Sequence, residues 1–165
     1  MTDQPEDEEQ ILARFPWAKV EPGRLIGKGH MAGDFLEAWQ WTVTDEEEGY
    51  LRIEAHLPKH VMNPRGQLFG GFTPTYVDLV ALFTVRAGPE RLNFNAPRAW
   101  LATTRMQLDY FEPVTGPTFV MDSRLEKSRG RTRHVITRFV QDGELAVLAA
   151  TSMRMLAMDR PLGDA

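Results

Sequence analysis

The chain has 165 residues, 42% apolar and 25% charged, enough for one domain with a real core and unlike a disordered segment. A net charge of -4 argues against a nucleic-acid binder, and the lack of cysteine excludes a disulfide scaffold, a thiolate nucleophile and cysteine-ligated zinc. The first residues are acidic (Asp3, Glu6, Asp7, Glu8, Glu9), the opposite of a signal peptide's basic start, and the most apolar stretch is interrupted by Asp78 and too short to span a bilayer, so the chain reads as cytoplasmic with no membrane span.

Taken in order, residues 1–10 form a polar tail that feeds a short helix near Glu8–Arg14. Phe15, Pro16 and Trp17 make an irregular segment whose aromatics pin this arm to the body. Gly23, Gly27, Gly29 and Gly33 mark residues 21–33 as loop. From Phe35 to Thr44, the period-two spacing of Phe35, Trp39, Trp41 and Val43 predicts a strand. Asp45–Gly49 is a charged turn. In Tyr50–Leu57, Leu51, Ile53, Ala55 and Leu57 share one face, which predicts the second strand of a hairpin ended by Pro58.

The stretch from His60 to Arg86 comes next. A polar turn with Asn63, Pro64 and Gly66 runs into Gly70–Gly71. Phe72, Tyr76, Val77, Leu79, Val80, Ala81, Leu82, Phe83 and Val85 follow, a helix apolar almost all round and therefore buried. Asp78 is a lone carboxylate in its middle, expensive there unless something pairs with it or uses it. Gly88–Pro89 stops the helix, and a loop with Asn93, Asn95 and Pro97 leads onward.

Four strands complete the chain. In Thr103–Phe111, Met106, Leu108 and Tyr110 alternate with Arg105, Gln107 and Asp109. In Thr118–Glu126, Phe119, Met121, Ser123 and Leu125 alternate with Val120, Asp122, Arg124 and Glu126. Arg131–Val140 and Glu144–Leu156 flank Gln141-Asp142-Gly143, a strong hairpin signal. Two strands, one buried helix and four antiparallel strands suggest a sheet curling around the helix, with a dimer partner covering what the sheet leaves open.

This order resembles the α+β hotdog fold, a curved antiparallel sheet wrapped around one long central helix. Within it the chain is similar to acyl-CoA thioesterases of the PaaI-like type. Their motif is Asn-x-x-Gly, two residues, His-Gly-Gly, then Asp eight positions after the first of those two glycines. Here stand Asn63-Pro64-Arg65-Gly66, Gln67-Leu68, Phe69-Gly70-Gly71 and Asp78 at that spacing. The likeness continues through Thr103–Pro113 and Arg129–Thr132 to Met155. It divides the chain into an N-terminal arm (1–34), a hotdog domain (35–157) and a C-terminal tail (158–165).

The residues themselves suit acyl transfer. Asp78 is a candidate base or nucleophile, since an anion in apolar surroundings is a better proton acceptor, although a buried Asp also serves as a plain structural acceptor. Free N–H groups at Gly70 and Gly71 open a helix, where a carbonyl can approach the backbone. The resemblance implies that the Gly70 N–H polarises the thioester carbonyl, with Asn63 and Thr103 positioning water or substrate. It also implies a homodimer or dimer of dimers, with Asn63 near the Asp of the other subunit and the site at the subunit interface. It implies no cofactor, coenzyme A entering as part of an acyl-CoA substrate. Phe69 stands where the family has His and moves no proton; in this position it packs against an acyl chain or alters the reaction. Lys127, Arg129, Arg131, Arg133 and His134 surround a turn at Ser128–Gly130, either as phosphate partners for coenzyme A or as a solvated hairpin tip. His56 and His60 are separated by Pro58, which forbids the helix a metal pair of that spacing needs, so no metal is assigned. Two alternatives stay open: a hotdog enoyl-thioester hydratase or dehydratase, and a non-catalytic acyl-CoA or lipid-binding protein.

Overall fold

The computed structural model describes residues 8–89, 91 and 100–156. Two short helices, α1 (Glu8–Arg14) and α2 (Met31–Phe35), precede strands β1 (Thr42–Glu47) and β2 (Tyr50–His56). Helix α3 (Thr73–Val85) follows, then β3 (Trp100–Tyr110), β4 (Thr118–Arg129), β5 (Thr132–Gln141) and β6 (Glu144–Leu156). The six strands form one antiparallel sheet in the order β1-β2-β4-β5-β6-β3. The sheet wraps α3, which is the hotdog architecture expected from the sequence.

Period-two burial explains why the strands face as they do. Leu51, Ile53 and Ala55 of β2 are buried, as are Phe119, Met121 and Ser123 of β4, while Arg52, Glu54, Val120 and Asp122 between them face outward or lie half-buried. Asp142 and Gly143 both have positive φ, 52° and 85°, which matches the twist of a two-residue turn between β5 and β6. In α3, Tyr76, Val77, Leu79, Val80, Ala81 and Phe83 are buried. Thr75, Asp78, Leu82 and Val85, spaced by three and four, form a stripe that stays half-buried. The sheet therefore covers most of the helix and leaves one side partly open.

The expected first strand does not begin at Phe35. Glu37 adopts φ 53° and Ala38–Gln40 form a 3-10 turn, so the chain is curled where period two suggested extension. Aromatic spacing misled here because Trp41 is buried by stacking on Tyr76, with ring centroids 5.3 Å apart, rather than by alternation in a sheet. The strand starts at Thr42 and runs through most of the expected charged turn to Glu47. Residues 21–33 are not all loop either, since α2 starts at Met31 with Gly33 buried inside it. The loop bearing Asn93, Asn95 and Pro97 and the tail 158–165 lie outside the described residues.

The residues before β1 belong to the core. Leu25 and Ile26 are buried against Trp41 and the α3 side chains. Trp17 meets Phe83 of α3 edge-on at 6.4 Å, the pinning contact expected of that segment. Arg91, almost fully buried, bonds to Glu46 Oε1 at 2.7 Å and to the Leu25 carbonyl at 2.8 Å, tying the arm to β1 and the end of the helix.

Candidate active site

The turn before α3 is built by one amide. Asn63 Oδ1 accepts from the Arg65 N–H (2.9 Å) and the Gln67 N–H (3.1 Å), while its Nδ2 donates to Gln67 Oε1 (3.1 Å). Gly66 takes φ 74°, which glycine allows without strain. Asn63 thus shapes the turn and has one amide hydrogen left for a ligand.

The turn delivers Phe69, Gly70 and Gly71 to the surface. Among the described residues, neither the Gly70 nor the Gly71 N–H has a hydrogen-bond acceptor. Helix α3 has no side-chain cap, and Pro74 sits in its first turn. The open donors are thus the two glycine N–H groups just ahead of the helix, at the positive end of its dipole, since those of Phe72, Thr73 and Thr75 are already bonded. The Tyr110 hydroxyl donates to the Gly70 carbonyl at 2.9 Å, and the Tyr110 ring lies over Gly70. Gln67, Leu68, Gly70, Thr73 and Tyr110 line a cleft of about 260 Å³ with Phe111, Pro113 and Val147.

Phe69 is 52% exposed. Its ring meets Phe72 at 5.6 Å, Phe72 meets Phe35 of α2 at 5.4 Å, and Phe35 meets His60 at 5.1 Å. An aromatic chain therefore runs from beside the glycines to α2 and His60. A Cβ on Gly71 falls 2.8 Å from the Phe69 ring, so that glycine leaves the ring room.

Asp78 lies one turn and more into α3. It is half-buried, and Oδ1 accepts a hydrogen bond from the Thr103 hydroxyl on β3. Among the described residues no Lys, Arg or His pairs with it. The fold brings these two together: Thr103 is on the helix-facing side of the strand, opposite buried Met153 of β6.

The two pairs stand apart within one protomer. Thr103 and Tyr110 are seven positions apart on β3, roughly 20 Å along the strand. Asp78 stands about 8 Å further along the helix than Thr73, with Gly70 earlier still. Asp78–Thr103 and Gly70–Tyr110 are two half-sites at different places on one edge of the fold.

The basic hairpin lies near the acid half. Arg133 faces Met153 from the opposite side to Thr103, two strand spacings or about 10 Å away. Its Nη1 donates to the carbonyls of Gly130 (2.8 Å) and Thr132 (3.0 Å), while Arg129 and Arg131 are exposed. Strand β4 extends to Arg129, so the turn is Gly130–Arg131 rather than Ser128–Gly130. His56 Nε2 lies 3.0 Å from Glu37 Oε2, and His60 Nε2 lies 2.6 Å from the Phe35 carbonyl. Both imidazoles are thereby committed to the segment before β1. Among the described residues no three His, Asp or Glu side chains gather as a metal site.

Tyr110 is the residue that sequence reasoning missed. Alternation only grouped it with Met106 and Leu108, and at the strand's end it is 53% exposed. The available signal was its place at the strand's end, just before Phe111-Glu112-Pro113.

No family model matches the chain, and no curated protein matches it. Solved structures do. A phenylacetic acid degradation-related protein of Ralstonia eutropha, provisionally a thioesterase, superposes with a TM-score of 0.60 at 19% identity, over 77% of this chain and 91% of that one. A hypothetical thioesterase of Streptococcus pneumoniae, with coenzyme A, gives 0.57 at 12% identity over 71% and 86%. A Streptococcus mutans protein bound to acetyl-CoA gives 0.58 at 16% identity over 71% and 89%. Identities this low establish the shared fold. Among the described residues no helix is long and apolar enough to cross a membrane.

Proposed function

We propose that this chain is an acyl-CoA thioesterase that hydrolyses an acyl thioester to a free acid and coenzyme A. The observation that carries the reading is Asp78: a half-buried carboxylate without a cationic partner among the described residues, aimed by a single hydroxyl. A carboxylate so held suits a general base more than a structural ion pair. Asp78 takes a proton from water, and the hydroxide equivalent adds to the thioester carbonyl. The Gly70 N–H stabilises the oxyanion, the C–S bond breaks, and coenzyme A leaves as the thiol by taking the proton that Asp78 accepted. Thr103 and Asn63 orient water and substrate. No cofactor takes part.

The site is completed by a second copy. β3 is an edge strand, and edges seek partners. Antiparallel pairing of two β3 strands about an axis at Gln107, with the bulge between Thr103 and Arg105 taking up one residue, sets Thr103 of each protomer opposite Tyr110 of the other. Asp78 of one copy then faces Gly70 of the other, and the half-buried stripe of α3 gains cover. Arg129, Arg131 and Arg133 supply positive charge near the acid half for coenzyme A phosphates, with Phe69 and Gly71 lining the acyl end. Bound coenzyme A in the Streptococcus pneumoniae protein and acetyl-CoA in the Streptococcus mutans protein support a ligand of this class.

Free-thiol release from a panel of acyl-CoAs tests the proposal. Wild type turns over at least one of them, and Asp78→Asn loses roughly 10²–10⁴-fold in kcat. Equal release by both proteins overturns the role of Asp78. The exposed Phe69, which moves no proton, favours a second reading as an acyl-CoA or lipid binder without turnover. Calorimetric binding without thiol release selects it. The same residue counts against a hydratase, which needs a proton donor there; unchanged enoyl-CoA absorbance excludes that activity.

A further inference from the structure

We infer that Tyr110 is a positioning residue for the oxyanion donors of this turn: by holding the Gly70 carbonyl, its hydroxyl fixes the Gly70–Gly71 peptide plane and so directs the Gly71 N–H alongside that of Gly70. The inference rests on the thioesterase reading for its kinetic consequence, but the geometry stands by itself. Two successive glycines give a backbone with wide φ/ψ freedom, the opposite of what a preorganised donor requires. The flanks of the pair are fixed: the Phe69 N–H donates to Val61 (2.9 Å) and the Phe72 N–H to Phe69 (2.9 Å). Between them the Gly70 carbonyl has two donors. The Thr73 N–H reaches it at 3.3 Å, a long bond, and the Tyr110 hydroxyl at 2.9 Å, the shorter one. Tyr110 projects from the last position of β3, a rigid strand paired with β6 through Val147. The strand edge thus locks the orientation of a turn that its own sequence leaves loose. Tyr110 touches the Gly70 carbonyl and not the N–H that meets substrate, so it acts through the backbone.

Tyr110→Phe keeps the ring and removes the hydroxyl. In the full-length protein, kcat for acyl-CoA hydrolysis falls about tenfold, as expected for one lost hydrogen bond in a preorganised site, while KM stays within about twofold. Amide NMR of the same variant shows changed shifts centred on Gly70 and Gly71, with the Tm held. Tyr110→Leu removes ring and hydroxyl together. Wild-type kcat in the Phe variant with loss only in the Leu variant overturns the inference, because the ring alone then matters. Unchanged Gly70 and Gly71 amides in the Phe variant overturn it also. A wild-type protein that hydrolyses no acyl thioester removes the thioesterase reading, and the NMR result then decides Tyr110 by itself.

Discussion

The Thr103 hydroxyl donates to Oδ1 of Asp78 across the gap between the edge strand and the central helix. That bond chooses one rotamer for a carboxylate flanked on its helix stripe by Thr75 and Leu82. It also leaves Oδ2 free for a proton from water. Thr103→Val keeps the shape and the β-branch and removes the donor. Its kcat falls about five- to tenfold, the worth of one hydrogen bond, with little change in Tm. Steady-state kinetics beside a melting curve measure both. A wild-type kcat in this variant means that Asp78 does not need the hydroxyl to be aimed.

Gly70 offers a cleaner steric test. A Cβ built there meets nothing nearer than the Tyr110 ring at 3.8 Å, an ordinary contact, and the residue has no left-handed backbone to forbid alanine. Gly70→Ala therefore folds normally and keeps its N–H. The added methyl nevertheless stands where a substrate carbonyl must approach. Turnover drops on the order of 10²-fold, comparable to an ångström of misplacement. Full activity in a well-folded Gly70→Ala protein rules out close approach of substrate at this turn.

How much of this was legible beforehand depends on the range of the interaction. The helix, β2 and the last three strands each advertise themselves by a periodic burial pattern that a local window can read. Asp78 is visible for the same reason, as the one charge in an apolar run. Residues 21–41 were misread because Trp41 and Leu36 are buried by tertiary contacts that follow no period. Tyr110 shares its alternation with Met106 and Leu108, but alternation does not report where a strand runs past the edge of what it covers. Its partner lies forty positions away on a turn, and such a contact has no sequence signal.

His30 makes the segment before β1 sensitive to acid. Its Nδ1 accepts the Gly33 N–H at 3.0 Å and caps α2, which only the deprotonated nitrogen can do. Burial lowers its pKa below the usual 6.5, and the nearby Asp34 charge only partly opposes this. A base with a lowered folded pKa contributes its stability above the unfolded value. That contribution is lost as pH falls from 6.5 toward the folded pKa. His30→Asn retains a capping acceptor and removes the titration. The difference in Tm between variant and wild type then shifts in the variant's favour as pH is lowered from 7.5 to 5.5. A difference that is flat with pH shows that His30 does not titrate with folding.

The separation of the two half-sites gives the most decisive experiment on the thioesterase reading. If Asp78 of one protomer serves Gly70 of the other, Asp78→Asn and Gly70→Ala are each inactive alone for different reasons. In a mixed dimer one site carries both lesions and the other carries neither. Random pairing makes about half of the dimers mixed, each with one good site of two, so about a quarter of wild-type activity returns on co-expression. Differently tagged chains, purified in tandem, isolate the mixed dimer and raise the figure to about half. If instead both residues served one active site within a single protomer, every site in the mixture would still contain a lesion and nothing would return. The roughly 20 Å of β3 between Thr103 and Tyr110 argues for recovery, since one protomer has no evident way to bring its own Asp78 to its own Gly70.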